Sequence, residues 1–347
     1  MNLFMILLSH LALAFLGTAH PGDHEERSAT DNKLQVQKRT YHSNFVQSYN
    51  ECAKNLESSG LNKRATFRRR SKINQFRQEI AALRLEQQTF GPHRKPNNEP
   101  TLKHIFNLPD QLEKSHLVTN TSIGPDTPPD ELFGNNGTCV LNPNSSTGPF
   151  YIKGELIRSN ITEGEAGVPM IIDTQIIDVD SCDPLEGVWW DIWSCNATGV
   201  YSGIQTWGNG DENDASNLNA TFLRGLQQSD SEGVAQFQAI FPGHYLGRAT
   251  HLHVVAHVGN VTRLSNDTIS GGSVAHRAVD WIFLEGIKDT SSDPFFNYVK
   301  LGDDIEEGIF AWVSIAVNLS VSFDPSHEWR LTDHGDVHEP ESGGIDI

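Results

Sequence analysis

The stretch Phe241–His253 reads Phe-Pro-Gly-His-Tyr-Leu-Gly-Arg-Ala-Thr-His-Leu-His, so thirteen positions hold Tyr245, Arg248 and the alternate pair His251 and His253. Side chains of an extended chain alternate between faces, so both imidazoles point one way while Leu252, Val254, Ala256 and Val258 point the other. Two imidazoles side by side on a rigid strand are a metal-ligand arrangement, because neutral imidazole is the commonest metal ligand among side chains. The plainer reading is a half-exposed strand that carries histidine. Tyr245 and Arg248 just upstream, together with Tyr201 in Gly199-Val200-Tyr201-Ser202, shift the weight toward a metal centre. A zinc hydrolase on His251 and His253 would lack a third histidine or acid at a usual spacing.

Such residues need a rigid frame. From Cys139 onward the texture is short strands with turn signals: Val168–Val179, Gly187–Ser194, Ala235–Phe241, His251–Val258, Ala278–Leu284 and Ile309–Phe323. Within Gly187–Ser194, Val188, Trp190 and Ile192 share one face, and Trp189, Asp191 and Trp193 the other. Strands at this spacing without amphipathic helices between them predict an all-β fold, a β-sandwich catalytic domain over residues 135–323. Ahead of it, residues 41–90 form a helical segment. Phe45, Tyr49, Cys52 and Leu56 recur at spacings of three and four, and so do Ile73, Phe76, Ile80 and Leu83, with Ser59-Gly60 between the two runs. Arg68-Arg69-Arg70 reads as a solvated helix face, with a partner surface or a basic-residue processing site as alternatives. The helical segment is also a candidate homodimer interface. Residues 91–134, rich in Pro, Asn, Asp and Ser, read as a linker or wrapping loop. Residues 20–40 read as a flexible N-terminus and 324–347 as an acidic disordered tail.

A net charge of -18 over 347 residues argues against nucleic-acid partners, whose phosphates it would repel. Residues 1–19 read as a secretory signal peptide, with an apolar run from Leu3 to Leu16 and small residues Gly17 and Ala19 before a cleavage point at His20. The run is too short to span a bilayer, so no membrane anchor is expected. Sequons begin at Asn120, Asn136, Asn144, Asn160, Asn196, Asn219, Asn260, Asn266 and Asn318, a density that fits a secreted, extracellular glycoprotein. Four cysteines, Cys52, Cys139, Cys182 and Cys195, allow two disulfides in an oxidising compartment. A direct hairpin between Ile176–Asp180 and Val188–Ser194 would set Cys182 and Cys195 apart, and the pairing stays open.

Gly148-Pro149-Phe150-Tyr151, Asp191-Ile192-Trp193, Gly199-Val200-Tyr201-Ser202 and the run Pro242–His253 occur in that order. Together they resemble the intradiol ring-cleavage dioxygenases, most closely the fungal extracellular branch, over the stretch from Cys139 to Phe323. The resemblance implies ferric iron, Fe(3+), held by Tyr201, Tyr245, His251 and His253. Phenolate is a hard anionic ligand suited to a ferric ion. A free phenol titrates near pH ~10, but a bound metal displaces its proton as it does a thiol's. The resemblance implies that Tyr201 and His251 stay in place and that Tyr245, with His253 opposite it, leaves the metal as substrate binds and takes a proton. Arg248 would steady charge developing on the substrate ring. The partners would be a small aromatic diol and O2, and the product a muconate-type diacid from cleavage between the two hydroxylated carbons. A sandwich that binds iron or catechol and cleaves nothing is the alternative. Pro149 and Tyr151 are the candidate pocket wall, Trp193 reads as core or supporting layer, and the pattern does not call on His244 or His257. One departure stands out: the family often carries a glutamine in a following strand, whereas here the chain reads His276-Arg277-Ala278-Val279-Asp280-Trp281-Ile282-Phe283. This bears on substrate choice rather than on the ligands.

Overall fold

The computed structural model describes residues 58–87 with Cys52 and Leu56, then 117–118, 138–140, 150–206, 208–211, 213–245, 250–278, 295–317, 319, 329–330 and 337–338. The stretches expected as a signal peptide, a flexible N-terminus and a linker, save residues 117–118, lie outside the described residues. The helix α1 covers Leu61–Gln87. The strands are β1 Thr138–Val140, β2 Ile152–Lys153, β3 Pro169–Asp178, β4 Trp189–Trp193, β5 Arg224–Gln228, β6 Val234–Ile240, β7 His253–Arg263, β8 Ile269–Ala278, β9 Asn297–Lys300, β10 Ile309–Val317, β11 Trp329–Arg330 and β12 Val337–His338.

Two of the sheets make the expected β-sandwich. In one, β10 pairs in parallel with β3 and β1 and antiparallel with β9, and β3 pairs antiparallel with β6. The other runs β5-β4-β7-β8, all antiparallel. Alternation drives the packing. Met170, Ile172 and Ile176 of β3 and Ile309, Ala311, Val313, Ile315 and Val317 of β10 meet Trp190 and Ile192 of β4 and Val254 and Ala256 of β7 in one core. Each large apolar side chain so buried contributes roughly 1.5–3 kcal/mol.

The predicted strands at 168–179, 187–194 and 235–241 are present with ends shifted by a few residues, and of the strand expected at 309–323 the stretch 309–317 is described, as β10. β3 and β4 do not form a direct hairpin, because β3 pairs with β6 and β10 while β4 belongs to the facing sheet. β5, β8 and β9 were not expected. Of the strand expected at 278–284 only Ala278 is described, as the last residue of β8. The short pair β11 and β12 falls within the stretch expected as a tail, and β11 adds in parallel to β2.

The other face of the β10–β3 sheet lies under the N-terminal segment. Ile73, Phe76 and Ile80 of α1 pack on Ile171, Phe310 and Trp312, and Leu56 and Leu61 on Ile177, Val179 and Ala316. Ser59-Gly60 breaks the helical run as expected, with Gly60 at φ 74°. The arginine run is not a solvated face. Asp173 of β3 is fully buried beneath the helix, and Arg69 Nε and Arg68 Nη2 donate to its Oδ1 at 2.7 and 3.1 Å. A buried carboxylate that close to the helix needs cations, and the run supplies them. Burial alone would push the Asp173 carboxyl up, but Arg69 and Arg68 outweigh it and hold it below the usual carboxylate range. Cys52 and Cys182 form a disulfide across 130 residues and pin this segment to the loop after β3. Cys195 is a free, buried thiol, so two bridges do not form. Burial pushes that thiol up to about 11. Among the described residues no helix is long and apolar enough to cross a membrane.

Candidate metal centre

Strands β4 and β7 place the site on the outer face of their sheet. Their register sets Trp193 opposite His253, Asp191 opposite Val255 and Trp189 opposite His257. His253 begins β7, and His251 lies two residues ahead of it, outside the strand that was expected to include it. Val254 and Ala256 enter the sandwich core as the alternation predicts.

Tyr201 comes from the loop after β4 and is fully buried. Its Oη lies 3.1 Å from His251 Nε2 and 3.1 Å from His253 Nε2, and the two Nε2 atoms are themselves 3.1 Å apart. The Tyr245 ring stands edge-on to Tyr201 at 5.8 Å and to His251 at 5.7 Å. Tyr245 and His251 are half-buried, while His253 is only 1% exposed, so the set has an accessible side and a deep side.

Local structure explains how a loop can hold Tyr201 so firmly. Asn209 Oδ1 accepts from the Tyr201 N–H at 2.7 Å, and the Nδ2 groups of Asn209 and Asn217 both donate to the Tyr201 carbonyl at 2.8 Å. Gly199, at φ 89°, lets this loop lie against the 242–245 segment, since a Cβ there would strike the His244 carbonyl oxygen. Phe150 stacks on the Tyr201 ring at 4.6 Å, and Trp193 stacks on the His253 ring at 4.9 Å.

These donors fit the ferric ion that the tyrosine and histidine pattern implied. Edges of 3.1 Å suit three donors that share one cation at about 2 Å each. Among the described residues no group of three or more His, Cys, Asp or Glu is placed to hold a metal. The third donor here is therefore a phenol oxygen, a hard ligand for a hard ion. The Tyr245 ring lies beside this cluster, edge-on to Tyr201 and His251.

Residues 146–263 match the family model described as "Dioxygenase". The match spans about a third of the chain and contains all four candidate ligands. Among solved structures, the chain resembles an intradiol ring-cleavage dioxygenase from Tetranychus urticae at 24% identity, covering 52% of this chain and 95% of that one with a TM-score of 0.38. It also resembles hydroxyquinol 1,2-dioxygenase from Pseudomonas putida at 19% identity, with coverages of 55% and 70% and a TM-score of 0.33. Catechol 1,2-dioxygenase from Acinetobacter is similar at 19% identity, with coverages of 61% and 70% and a TM-score of 0.35. No curated protein matches the chain by sequence.

Of the remaining dioxygenase-like positions, Arg248, Pro149 and Asp280 lie outside the described residues. Tyr151 is buried and tilts against Trp193 at 5.1 Å. His257 is turned away from the triangle's chemistry by Asp191, whose Oδ2 is 3.1 Å from its Nε2. Burial pushes the Asp191 carboxyl up, against the opposing pull of His257 and Arg224. His244 is exposed. Sequence reasoning did not single out Asn209, Asn217, Glu155 or Arg224. Asn209 and Asn217 act on backbone groups of their own loop and Glu155 and Arg224 on buried partners far along the chain, and a polar residue in a loop or at a strand start gives no periodic signal for that.

Proposed function

We propose that the protein is a secreted non-haem ferric intradiol dioxygenase, which cleaves a catecholic ring between its two hydroxylated carbons with O2 and releases a muconate-type diacid. The convergence of Tyr201 Oη, His251 Nε2 and His253 Nε2 at 3.1 Å spacings carries this reading, and the match of residues 146–263 supports it. Tyr201, Tyr245, His251 and His253 are the proposed ligands. When bound, a ferric ion would supply a Lewis-acidic centre for the oxygens of the diol and would make its ring open to O2. The protein's part is to bind and orient. Tyr201 and His251 are proposed to stay in place, and Tyr201 and His253 are the two buried members of the set. Tyr245 is half-buried on the accessible side, so its phenolate oxygen is the group proposed to give way and accept a proton from the incoming hydroxyl. Arg248 is proposed to steady negative charge on the ring. The apolar wall of Phe150, Tyr151 and Trp193 excludes water behind the donors.

Secretion is part of the same proposal. Asn160, Asn219, Asn260 and Asn266 are exposed and open to glycans, while Asn196 is half-buried with its amide donating to Glu165. A homodimer through the N-terminal segment is proposed on the 74% exposure of Phe67, which sedimentation would test. Oxygen uptake with catechol, protocatechuate and hydroxyquinol tests the enzyme reading, together with iron analysis and the red-brown colour of phenolate-to-iron charge transfer. Iron and colour without uptake on any diol would favour the binding protein. A Tyr201→Phe variant with full colour and activity would remove the ligand assignment.

A further inference from the structure

Arg224 opens β5 and is only 1% exposed. Its Nε donates to both the carbonyl oxygen and the Oγ of Ser202, the residue after Tyr201, each at 3.0 Å. Its Nη1 donates to the Phe150 carbonyl at 2.9 Å and to Glu155 Oε1 at 3.1 Å, and Glu155 is itself buried. Phe150 in turn lies on the Tyr201 ring, 22° from parallel. The Arg224 Cζ is 6.0 Å from the centroid of that same ring. One rigid fork therefore holds the residue that follows the phenol and the residue that stacks on it. A buried cation is costly to keep unless its bonds are nearly complete, so a core position with no role beyond filling space would favour an apolar side chain. Lysine has the charge but not the fork, and could not bridge the same acceptors.

We infer that Arg224 is a positioning residue for the metal centre, fixing the orientation of the Tyr201 phenol and, through its charge beside the ring, setting how strongly that oxygen donates. The inference rests on Tyr201 being an iron ligand, as proposed above. A cation near an aromatic ring draws on its electrons. The balance between Arg224 and its counter-ion Glu155 is then visible in the charge-transfer band of the iron-loaded protein.

The test compares ferric-loaded wild type with Arg224→Lys and Glu155→Gln, reading iron stoichiometry, the visible band and oxygen-uptake kinetics on one accepted diol. Arg224→Lys is expected to bind iron but to show a displaced band, with kcat lowered about tenfold or more and KM within about threefold, the pattern of lost positioning rather than lost binding. Glu155→Gln keeps a hydrogen-bond acceptor and removes the countercharge, so its band is expected to move to shorter wavelength. A folded, iron-loaded Arg224→Lys with the wild-type band and kcat would overturn the inference. Should that variant not fold, an unshifted band in Glu155→Gln overturns it instead. Wild-type protein that takes up ferric iron without any phenolate band is a separate failure, that of the metal centre itself.

Discussion

Trp193 and His253 face each other across β4 and β7, with their rings stacked 4.9 Å apart and 7° from parallel. The indole fixes the plane of an imidazole whose Nε2 stands in the donor triangle. Trp193→Phe keeps a ring in that place and should leave iron affinity nearly intact. Trp193→Ala should weaken it by about 10–100-fold, as loss of a supporting group around a ligand does, and cost roughly 3–5 kcal/mol of stability. Competition against a chelator and a urea titration read the two effects. Equal iron affinity in both variants would show that the stack has no part in holding the ligand.

The contact between Gly199 and the 242–245 segment joins the loop of Tyr201 to the loop of Tyr245. Gly199→Ala forces a Cβ against the His244 carbonyl oxygen at a φ of 89° that side chains disfavour. The backbone strain alone is worth about 1–2 kcal/mol. The variant should stay folded, since its neighbours are surface loops, yet lose most of its oxygen uptake as Tyr245 is displaced. Thermal melting beside an uptake assay separates these. Full activity would mean that the loops move apart without consequence for the centre.

Where a residue's role follows from local alternation, the sequence already held it. His251 and His253 on one side against Val254 and Ala256 on the other is a period of two, and so is the division of Trp189, Asp191 and Trp193 from Trp190 and Ile192. β5 and β8 escape that logic. Arg-Gly-Leu-Gln-Gln and a run with Gly271-Gly272 have weak strand preference of their own, and they are extended because β4 and β7 offer open edges. Buried charged residues escape that logic for a related reason. Arg69 finds Asp173 at a separation of 104 residues and Arg224 finds Glu155 at 69, and no local pattern distinguishes such a charge from a solvated one.

The disulfide between Cys52 and Cys182 offers a clean separation of stability from chemistry. It ties the N-terminal segment to the sheet face away from the metal centre. Replacing both cysteines by serine should cost about 2–5 kcal/mol, chiefly by freeing the unfolded chain. Iron content and oxygen uptake under native conditions should not change. Urea midpoints with and without reductant give the first quantity, and metal analysis the second. Iron lost along with the bridge would mean that the N-terminal cover supports the centre through the sandwich.

The buried cluster of Asp173, Arg68 and Arg69 predicts how the fold responds to acid. Its carboxyl is held below the ordinary value of about 3.9 by the two guanidinium groups, despite burial. As pH falls, the unfolded chain therefore takes up this proton first, so the cluster's contribution is full above the ordinary carboxylate value. It is lost as pH drops from there through the lower folded value. Asp173→Asn removes that titration and should flatten the acid limb of the stability curve. It should also lower stability at neutral pH by roughly 3–5 kcal/mol, because one member of a buried ion pair is removed. Arg69→Met together with Asp173→Leu, which removes both charges, should recover much of that loss. Urea titrations of the three proteins between neutral and acid pH decide it. An unchanged acid limb in Asp173→Asn would show that other carboxylates govern the acid response.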